Sequence, residues 1–389
     1  MAELKKTIMI VAGEASGDSH AAKLCSAIRE LDPNTEFRFF GSAGPKMRDA
    51  GVEPVVRADE LSIVGLIEIG RALPMFISAF RRLKRAASER QPDVVVLVDF
   101  PDFNLKLARA LKNKGYKIVY YISPQIWAWR QYRMRSVRKY IDLLLAILPF
   151  EKDWYAERGI HHVEYVGNPV ASEVHPDSTK ESFCRRHGLD PEARIITMLP
   201  GSRHKEIVRI LPEMLRAAAV LMRKDREIQF IVAFAAERHR NEFEAARAKI
   251  SEGDRILTEK IKVVSAETYD ALFAADAAAV TSGTATLETG IIGTPMAIVY
   301  KTSVLNYRLL RPLIDVEHFG LINLIGGDRI ASELIQDDFS PGTLADELSR
   351  ILEPETNSRI RKQLKVAADK LGQGGASKRA AAAILNLIG

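Results

Sequence analysis

Short apolar runs, hydrophobic on both faces, alternate along this chain with longer stretches of helical periodicity, and the alternation occurs twice. A run that is apolar on both faces is what a parallel strand needs, because helices cover such a sheet from both sides. The pattern predicts strands at 7–11, 36–41, 94–98, 117–122, 143–148 and 164–166. After a polar break it predicts further strands at 195–199, 229–233, 262–264, 278–281 and 296–300. Stretches 19–31, 105–114, 207–223 and 266–275 read as connecting helices. This is the βαβ rhythm of doubly wound α/β domains.

Length makes two such domains the natural reading. The chain has 389 residues, and single cores stop growing at roughly 250–300 residues. The break lies between Asn168 and Ala193, a stretch rich in Pro, Asp, Ser and charge. The expected organisation is α/β: a Rossmann-like domain over 1–170 and a second over 190–340, facing each other across a cleft. A helical tail over 341–389 would pack back on the first domain or on a partner chain, which leaves a homodimer open.

Hydrophobic residues at 47% and charged residues at 27% suit a folded soluble chain. No apolar run approaches the roughly 20 residues that cross a bilayer, and the Ile/Val run near the N-terminus ends at Gly13 and Glu14 with no cleavage site after it. Two cysteines form no disulfide framework, so the cytoplasm is the expected compartment. The net charge of +6 suits nucleic acid, anionic lipid or phosphorylated ligands. Zinc-finger spacing and RNP-type aromatic motifs are both missing from the sequence, which leaves lipid and phosphate rather than nucleic acid.

In open α/β sheets, ligands bind where strands end and helices begin. Three junctions stand out. Gly13-Glu14-Ala15-Ser16-Gly17-Asp18 follows the first strand; its glycines allow close backbone approach, and a tight turn of no further role is the alternative. Gly201-Ser202-Arg203 opens the second domain and offers a diphosphate a helix N-terminus, a hydroxyl and a permanent positive fork. Ser282-Gly283-Thr284-Ala285-Thr286 is a second hydroxyl-rich turn, with Glu288 placed to accept from ribose hydroxyls or to stabilise its helix. Neither second-domain loop contains a Walker sequence.

For chemistry the segment Asp99-Phe100-Pro101-Asp102-Phe103-Asn104 matters most. Asp102 reads as the cap of a helix beginning near Leu105. Asp99, directly after four apolar residues, has no such explanation and is the candidate general base. Scattered histidines and the absence of H-E-x-x-H or D-x-D give no metal site, and no cofactor is called for.

These motifs occur together in one known family. VAGEASGD, GxxGPKM from Gly41 to Met47, VGLIEI, DFPDFN, YYISPQIWAWR, LPFE, VGNP, LPGSR and SGTATLE run in the order found in the lipid-A-disaccharide synthases, which the chain resembles from about residue 7 to about residue 340. That family resembles the GT-B glycosyltransferases: two Rossmann-like domains, a nucleotide-sugar held mainly by the second, and no metal requirement. The resemblance implies UDP-2,3-diacylglucosamine as donor and 2,3-diacylglucosamine 1-phosphate as acceptor. It implies Asp99 as base, Arg203 and the loop from Ser282 to Thr286 on the departing UDP, and Glu288 on the ribose. It also implies that Asn323 reaches into the cleft. The family commonly has VGHP where this chain has Val166-Gly167-Asn168-Pro169, and proline where this chain has Ile322.

Lipid substrates need an apolar seat. Leu66 and Ile67, then Leu73, Met75 and Phe76, run into Arg81, Arg82, Lys84 and Arg85. Apolar residues followed by cations suit a segment lying in a membrane surface; a buried helix with a solvated end is the alternative. The expected location is therefore the cytoplasmic face of the inner membrane, peripherally bound. A second basic run, Arg130, Arg133, Arg135, Arg138 and Lys139, follows Trp127 and Trp129. It fits the acceptor phosphate and a merely solvated helix equally well.

Overall fold

The computed structural model describes residues 4–59, 69–303, 307, 317–372 and 374–389. Two compact units emerge: Met1–Pro169 together with Gln373–Gly389, and Val170–Gly372. Leu66 and Ile67 lie outside the described residues.

The first unit is built on β1 (Leu4–Val11), β2 (Thr35–Ala43), β3 (Val52–Arg57), β4 (Val94–Val98), β5 (Ile118–Tyr121), β6 (Leu143–Ala146) and β7 (Val163–Tyr165). Among the described residues these form one parallel sheet in the order β3-β2-β1-β4-β5-β6-β7. Every residue of β4 is buried, as a central parallel strand covered on both faces requires. On one face Met9, Val95, Leu97 and Tyr120 pack with the helix Pro101–Lys112; on the other Ile8, Ile10, Val96 and Tyr121 pack with the helix Ala15–Leu31.

The second unit contains β8 (Ile195–Leu199), β9 (Gln229–Phe234), β10 (Lys262–Ser265), β11 (Ala277–Thr281), β12 (Met296–Tyr300) and β13 (Ser332–Ile335). Their order is β10-β9-β8-β11-β12-β13, again parallel. Each sheet therefore reverses direction of winding between its first and fourth strands: β1/β4 in one, β8/β11 in the other. That reversal opens a crevice at the carboxyl ends of the central strands.

Two strands escape the periodicity argument. β3 and β13 are edge strands whose residues are partly exposed, and β3 carries Pro54 and two glutamate or arginine side chains, Glu53 and Arg57. Neither is a continuous apolar run, so neither shows the signal of a buried parallel strand.

The stretch after Pro341 divides. Helices Pro341–Ile351 and Pro354–Asp369 belong to the second unit, whereas Ala376–Ile388 belongs to the first. There Ala380, Ala381 and Ile384 are fully buried in the core with Leu24, Cys25 and Ile28. The Nζ atoms of Lys6 and Lys117 donate to the carbonyls of Ile388 at 2.7 Å and Leu387 at 2.9 Å. Cations on otherwise unpaired C-terminal carbonyls stabilise a helix end.

Candidate active site

In the first unit, Asp99 sits where β4 ends. Its φ is 48° and that of Phe100 is 51°, two consecutive left-handed residues that are not glycine. Such residues cost of order 1–3 kcal/mol each and persist only where the surroundings enforce them. The surroundings are specific. The Asp99 amide donates to the Tyr121 carbonyl at 3.0 Å, and its own carbonyl accepts from Asn104 Nδ2 at 2.8 Å and from the Tyr120 hydroxyl at 2.6 Å. The turn leaves the carboxylate unpaired with any cation among the described residues, and burial, followed by the charge of Glu14, pushes its pKa up to about 6.

The loop after β1 meets the same turn. A Cβ on Gly13 would lie 2.4 Å from the Phe100 ring, so no larger residue fits while that ring stays in place. Glu14 and Ser16 are exposed and Gly17 is buried. Asp18 behaves differently from its neighbours. Its carboxylate accepts from the backbone N–H groups of Gly44 at 2.8 Å, Lys46 at 2.9 Å and Met47 at 3.2 Å. Buried and holding three backbone amides, it anchors the helix Pro45–Asp49.

Asp102 also differs from expectation. The helix starts at Pro101, with Phe100 as its N-cap residue and no side-chain cap. Proline's fixed φ suits the first helical position, so Asp102 falls inside the first turn. Its carboxylate instead accepts from Arg130 at 3.0 Å and from Arg133.

SPQIWAWR and LPFEKDWY prove to be one buried network. Glu151 is fully buried and accepts from Trp127 Nε1 at 3.1 Å and from the amides of Ile147 at 3.2 Å and Leu148 at 3.0 Å. Burial pushes its pKa up to about 7 against those hydrogen bonds. Ser123 and the Tyr155 hydroxyl are 3.0 Å apart beside it. Trp127 is thus a core residue, whereas Trp129 is 37% exposed.

Phe76, Phe100 and Phe103 form an aromatic cluster, with ring centroids 5.7–6.3 Å apart. Met75 and Phe76 are half-buried against the core, while Leu73 and Ile77 are 56% and 42% exposed on the helix Ile69–Arg90. Leu73, Ile77 and Arg81 recur at the i, i+4 spacing that puts residues on one helix face. No helix among the described residues is long and apolar enough to cross a membrane.

In the second unit the two loops expected to hold a nucleotide line one pocket of about 620 Å³. Gly201, Ser202 and Arg203 enter it from β8, and Ser282, Gly283 and Thr284 from β11. Gly201 has φ 114°, and a Cβ there would press on Glu206 at 3.0 Å. Helices His204–Lys224 and Thr284–Ile292 both start at this pocket, and neither has a side-chain cap. Uncapped N–H groups and two positive dipole ends favour an anion there. The Arg203 side chain is 82% exposed, and among the described residues its ion pair is with Glu206, at 3.4 Å, which leaves the guanidinium open to solvent.

Glu288 lines the pocket beside Tyr269, which donates to it. Burial raises the Glu288 pKa and the tyrosine hydrogen bond opposes the rise; burial likewise pushes Tyr269 up to about 12. Ala266 and Glu267, with the first turn of the helix Thr268–Phe273, supply a further wall. The sequence marks 266–275 as a connecting helix without a binding role, although its start directly follows a predicted strand, the signal that points to a ligand site.

Two residues expected at this site turn their side chains to the protein's own backbone. The Thr286 hydroxyl is buried and donates to the Gly283 carbonyl at 2.8 Å, stabilising its own turn. Asn323 is fully buried: its Nδ2 donates to the Ala331 carbonyl at 2.8 Å and to Glu333 at 2.9 Å, and its Oδ1 accepts from the Ala331 amide at 2.9 Å. It reaches no ligand space. Its partner Glu333 accepts from the amides of Phe319 and Gly320, and the Phe319 carbonyl accepts from Ser282 at 3.0 Å. Asn323 therefore supports the pocket loop at one remove.

The family model described as Lipid-A-disaccharide synthetase matches residues 8–387. This chain belongs to the lipid-A-disaccharide synthase family. A lipid-A-disaccharide synthase of Trichlorobacter lovleyi is 39% identical over 384 residues, covering 98% of each chain, and one of Syntrophus aciditrophicus is 40% identical with the same coverage. Among solved structures, a putative UDP-N-acetylglucosamine 2-epimerase from Listeria monocytogenes superposes with TM-score 0.65 at 14% identity, covering 98% of this chain and 96% of that one. The calicheamicin glycosyltransferase CalG4 superposes with TM-score 0.59 at 14% identity, covering 99% and 98%. These likenesses establish the fold, that of the GT-B glycosyltransferases and the related epimerases. Membership of the family makes the chain a glycosyltransferase.

Proposed function

We propose that this protein transfers 2,3-diacylglucosamine from UDP-2,3-diacylglucosamine to the 6-hydroxyl of 2,3-diacylglucosamine 1-phosphate, giving the β(1→6) tetraacyl disaccharide 1-phosphate and UDP. The observation that carries the reading is Asp99: a carboxylate on a strained turn at the end of β4, with its pKa pushed up to about 6 by burial and by Glu14. A base works best when its pKa lies near the working pH, since it is then both ionised and able to hold a proton. Asp99 takes the proton of the 6-hydroxyl as that oxygen bonds to the anomeric carbon. The bond from that carbon to the UDP oxygen breaks on the opposite face, inverting the configuration.

The second unit supplies the leaving-group side. Gly201, Ser202, Gly283 and Thr284 offer N–H and O–H donors to the diphosphate, Ser282 holds their turn through its bonds to the Val299 and Phe319 carbonyls, and Arg203 closes over the ligand as negative charge builds on UDP. Glu288, kept polar by Tyr269, accepts from the ribose hydroxyls. Exposed Leu73 and Ile77, with Phe76 behind them, receive acyl chains at the cytoplasmic face of the inner membrane, where the arginines that follow meet anionic head groups.

The test is a transfer assay in mild detergent with donor supplied in the presence and absence of acceptor. Acceptor-dependent UDP release, the disaccharide mass and indifference to EDTA support the reading. UDP release without acceptor indicates a hydrolase, and UDP binding without release indicates a non-catalytic protein.

A further inference from the structure

Arg133 and Arg130 converge on one carboxylate, that of Asp102. The Arg133 side chain is 7% exposed, yet Asp102, which it bonds, is 71% exposed. Burying a guanidinium costs several kcal/mol unless it is paired and hydrogen-bonded, and the Asp102 carboxylate supplies that pairing. Here the guanidinium is held inside the fold and presented at a point that solvent reaches. Arg130 arrives at the same point from a left-handed backbone (φ 54°) and lies over the Trp129 ring at 4.2 Å; Arg133 is 5.8 Å from that ring. Both forks are therefore ordered in advance. By contrast Arg135, Arg138 and Lys139 on the next helix are exposed, as a solvated face would be.

The pair stands beside the Asp99 turn. Asp99 and Asp102 flank the start of one helix, and the buried Tyr120 hydroxyl, which donates to the Asp99 carbonyl, feels the charges of Asp99, Arg133 and Asp102 together. An acceptor sugar carries its reacting hydroxyl on C6, attached to C5, and its phosphate on C1; C1 and C5 flank the same ring oxygen, so both groups stand on one side of one pyranose ring. A base and a phosphate seat for such a molecule must share one rigid frame about a sugar's width apart.

We infer that Arg130 and Arg133, ordered by Asp102 and Trp129, form the seat of the acceptor's phosphate monoester. The inference rests on the transfer reaction proposed above. A guanidinium has five N–H donors, and the Asp102 bonds engage Nη1 of Arg130 and Nη2 of Arg133. A phosphate dianion brings more charge and more acceptor oxygens than one carboxylate, so it binds alongside Asp102 or displaces it.

The experiment compares wild type with Arg130→Gln, a half-exposed position that tolerates change, and with Arg133→Gln. Acceptors with and without the 1-phosphate are used in detergent micelles. Loss of one charge-assisted contact should raise the KM for the phosphorylated acceptor roughly 10- to 100-fold, with the effect on KM rather than kcat and with the donor KM held. Removing the phosphate should weaken wild type similarly and leave Arg130→Gln little further to lose. Equal KM values in wild type and Arg130→Gln overturn the inference. So does a variant that loses binding to phosphatidylglycerol vesicles while keeping its acceptor KM, since the arginines would then serve membrane head groups. If wild type transfers to neither acceptor, the proposed reaction fails, and tryptophan fluorescence decides the seat alone. A saturable response to glucosamine 1-phosphate but not glucosamine, lost in Arg130→Gln, supports it, and no response overturns it.

Discussion

The two units share a topology and differ in what stands at the point where it reverses. In the first, β1 and β4 end in Glu14 and Asp99; in the second, β8 and β11 end in Gly201-Ser202-Arg203 and Ser282-Gly283-Thr284. The first crevice presents Glu14 and Asp99; the second adds two helix N-termini and Arg203 to carboxylates of its own, Glu206 and Glu288 among them. The winding of the sheet decides where ligands bind, and a handful of loop residues decide whether that place takes a proton or stabilises an anion. Each unit also braces its loops with a buried glutamate that accepts backbone N–H groups: Glu151 at 0% exposure and Glu333 at 8%.

Breaking the contrast at Asp99 should have the largest effect. Asp99→Asn should lower kcat roughly 100- to 10,000-fold, the span of a general base, while UDP affinity, measured by calorimetry, stays unchanged. The same change should raise stability. A carboxyl whose pKa rises from 3.8 to about 6 on folding binds more protons folded than unfolded, so stability falls as pH rises through that window. The asparagine variant escapes a penalty on the order of 2–3 kcal/mol above pH 6 and gains nothing below pH 4, which thermal melts across pH 3–8 would show.

The mirror experiment is Arg203→Ala. It should weaken UDP binding and kcat/KM roughly 10- to 100-fold without moving the pH profile. If it shifted the acid limb instead, the division of labour between the units would be wrong. For the braces, Glu151→Ala strands the Trp127 indole and two backbone amides and should cost about 3 kcal/mol in denaturant unfolding. Glu151→Gln keeps an acceptor oxygen and should cost less at neutral pH, where the native carboxyl is near its pKa of about 7. The smallest effect sharpens the picture. The rate should rise through pH of about 6 as Asp99 ionises. Glu14→Gln, by removing a nearby negative charge, should move that limb to lower pH by roughly a few tenths of a pH unit.

Much of this was legible in sequence because buried parallel strands and phosphate loops are local signals. β4, β8 and β12 end where their apolar runs end, and the glycine-hydroxyl turns announce themselves. What was not legible depends on partners far along the chain. Thr286 and Asn323 are the same polar residues whether they face a ligand or their own backbone, and only the fold shows that Gly283 and Ala331 claim them. Asp18 follows a ligand-like glycine turn, yet it holds the amides of Gly44, Lys46 and Met47. Asp102 looked like a cap because its arginines lie about 30 residues away. β3 and β13, half-exposed edges, carry no continuous apolar signal.

The helix Ala376–Ile388 completes the first unit although the whole second unit precedes it in the chain. On the ribosome, the face of Leu24, Cys25 and Ile28 that this helix covers is made early and closed last. Roughly 200 residues must be added in between, which takes about 10–40 s at ordinary synthesis rates. The second unit, one uninterrupted segment, can finish its core first. The half that carries Asp99 thus stays sticky until this helix emerges, and its maturation is timed by the other half.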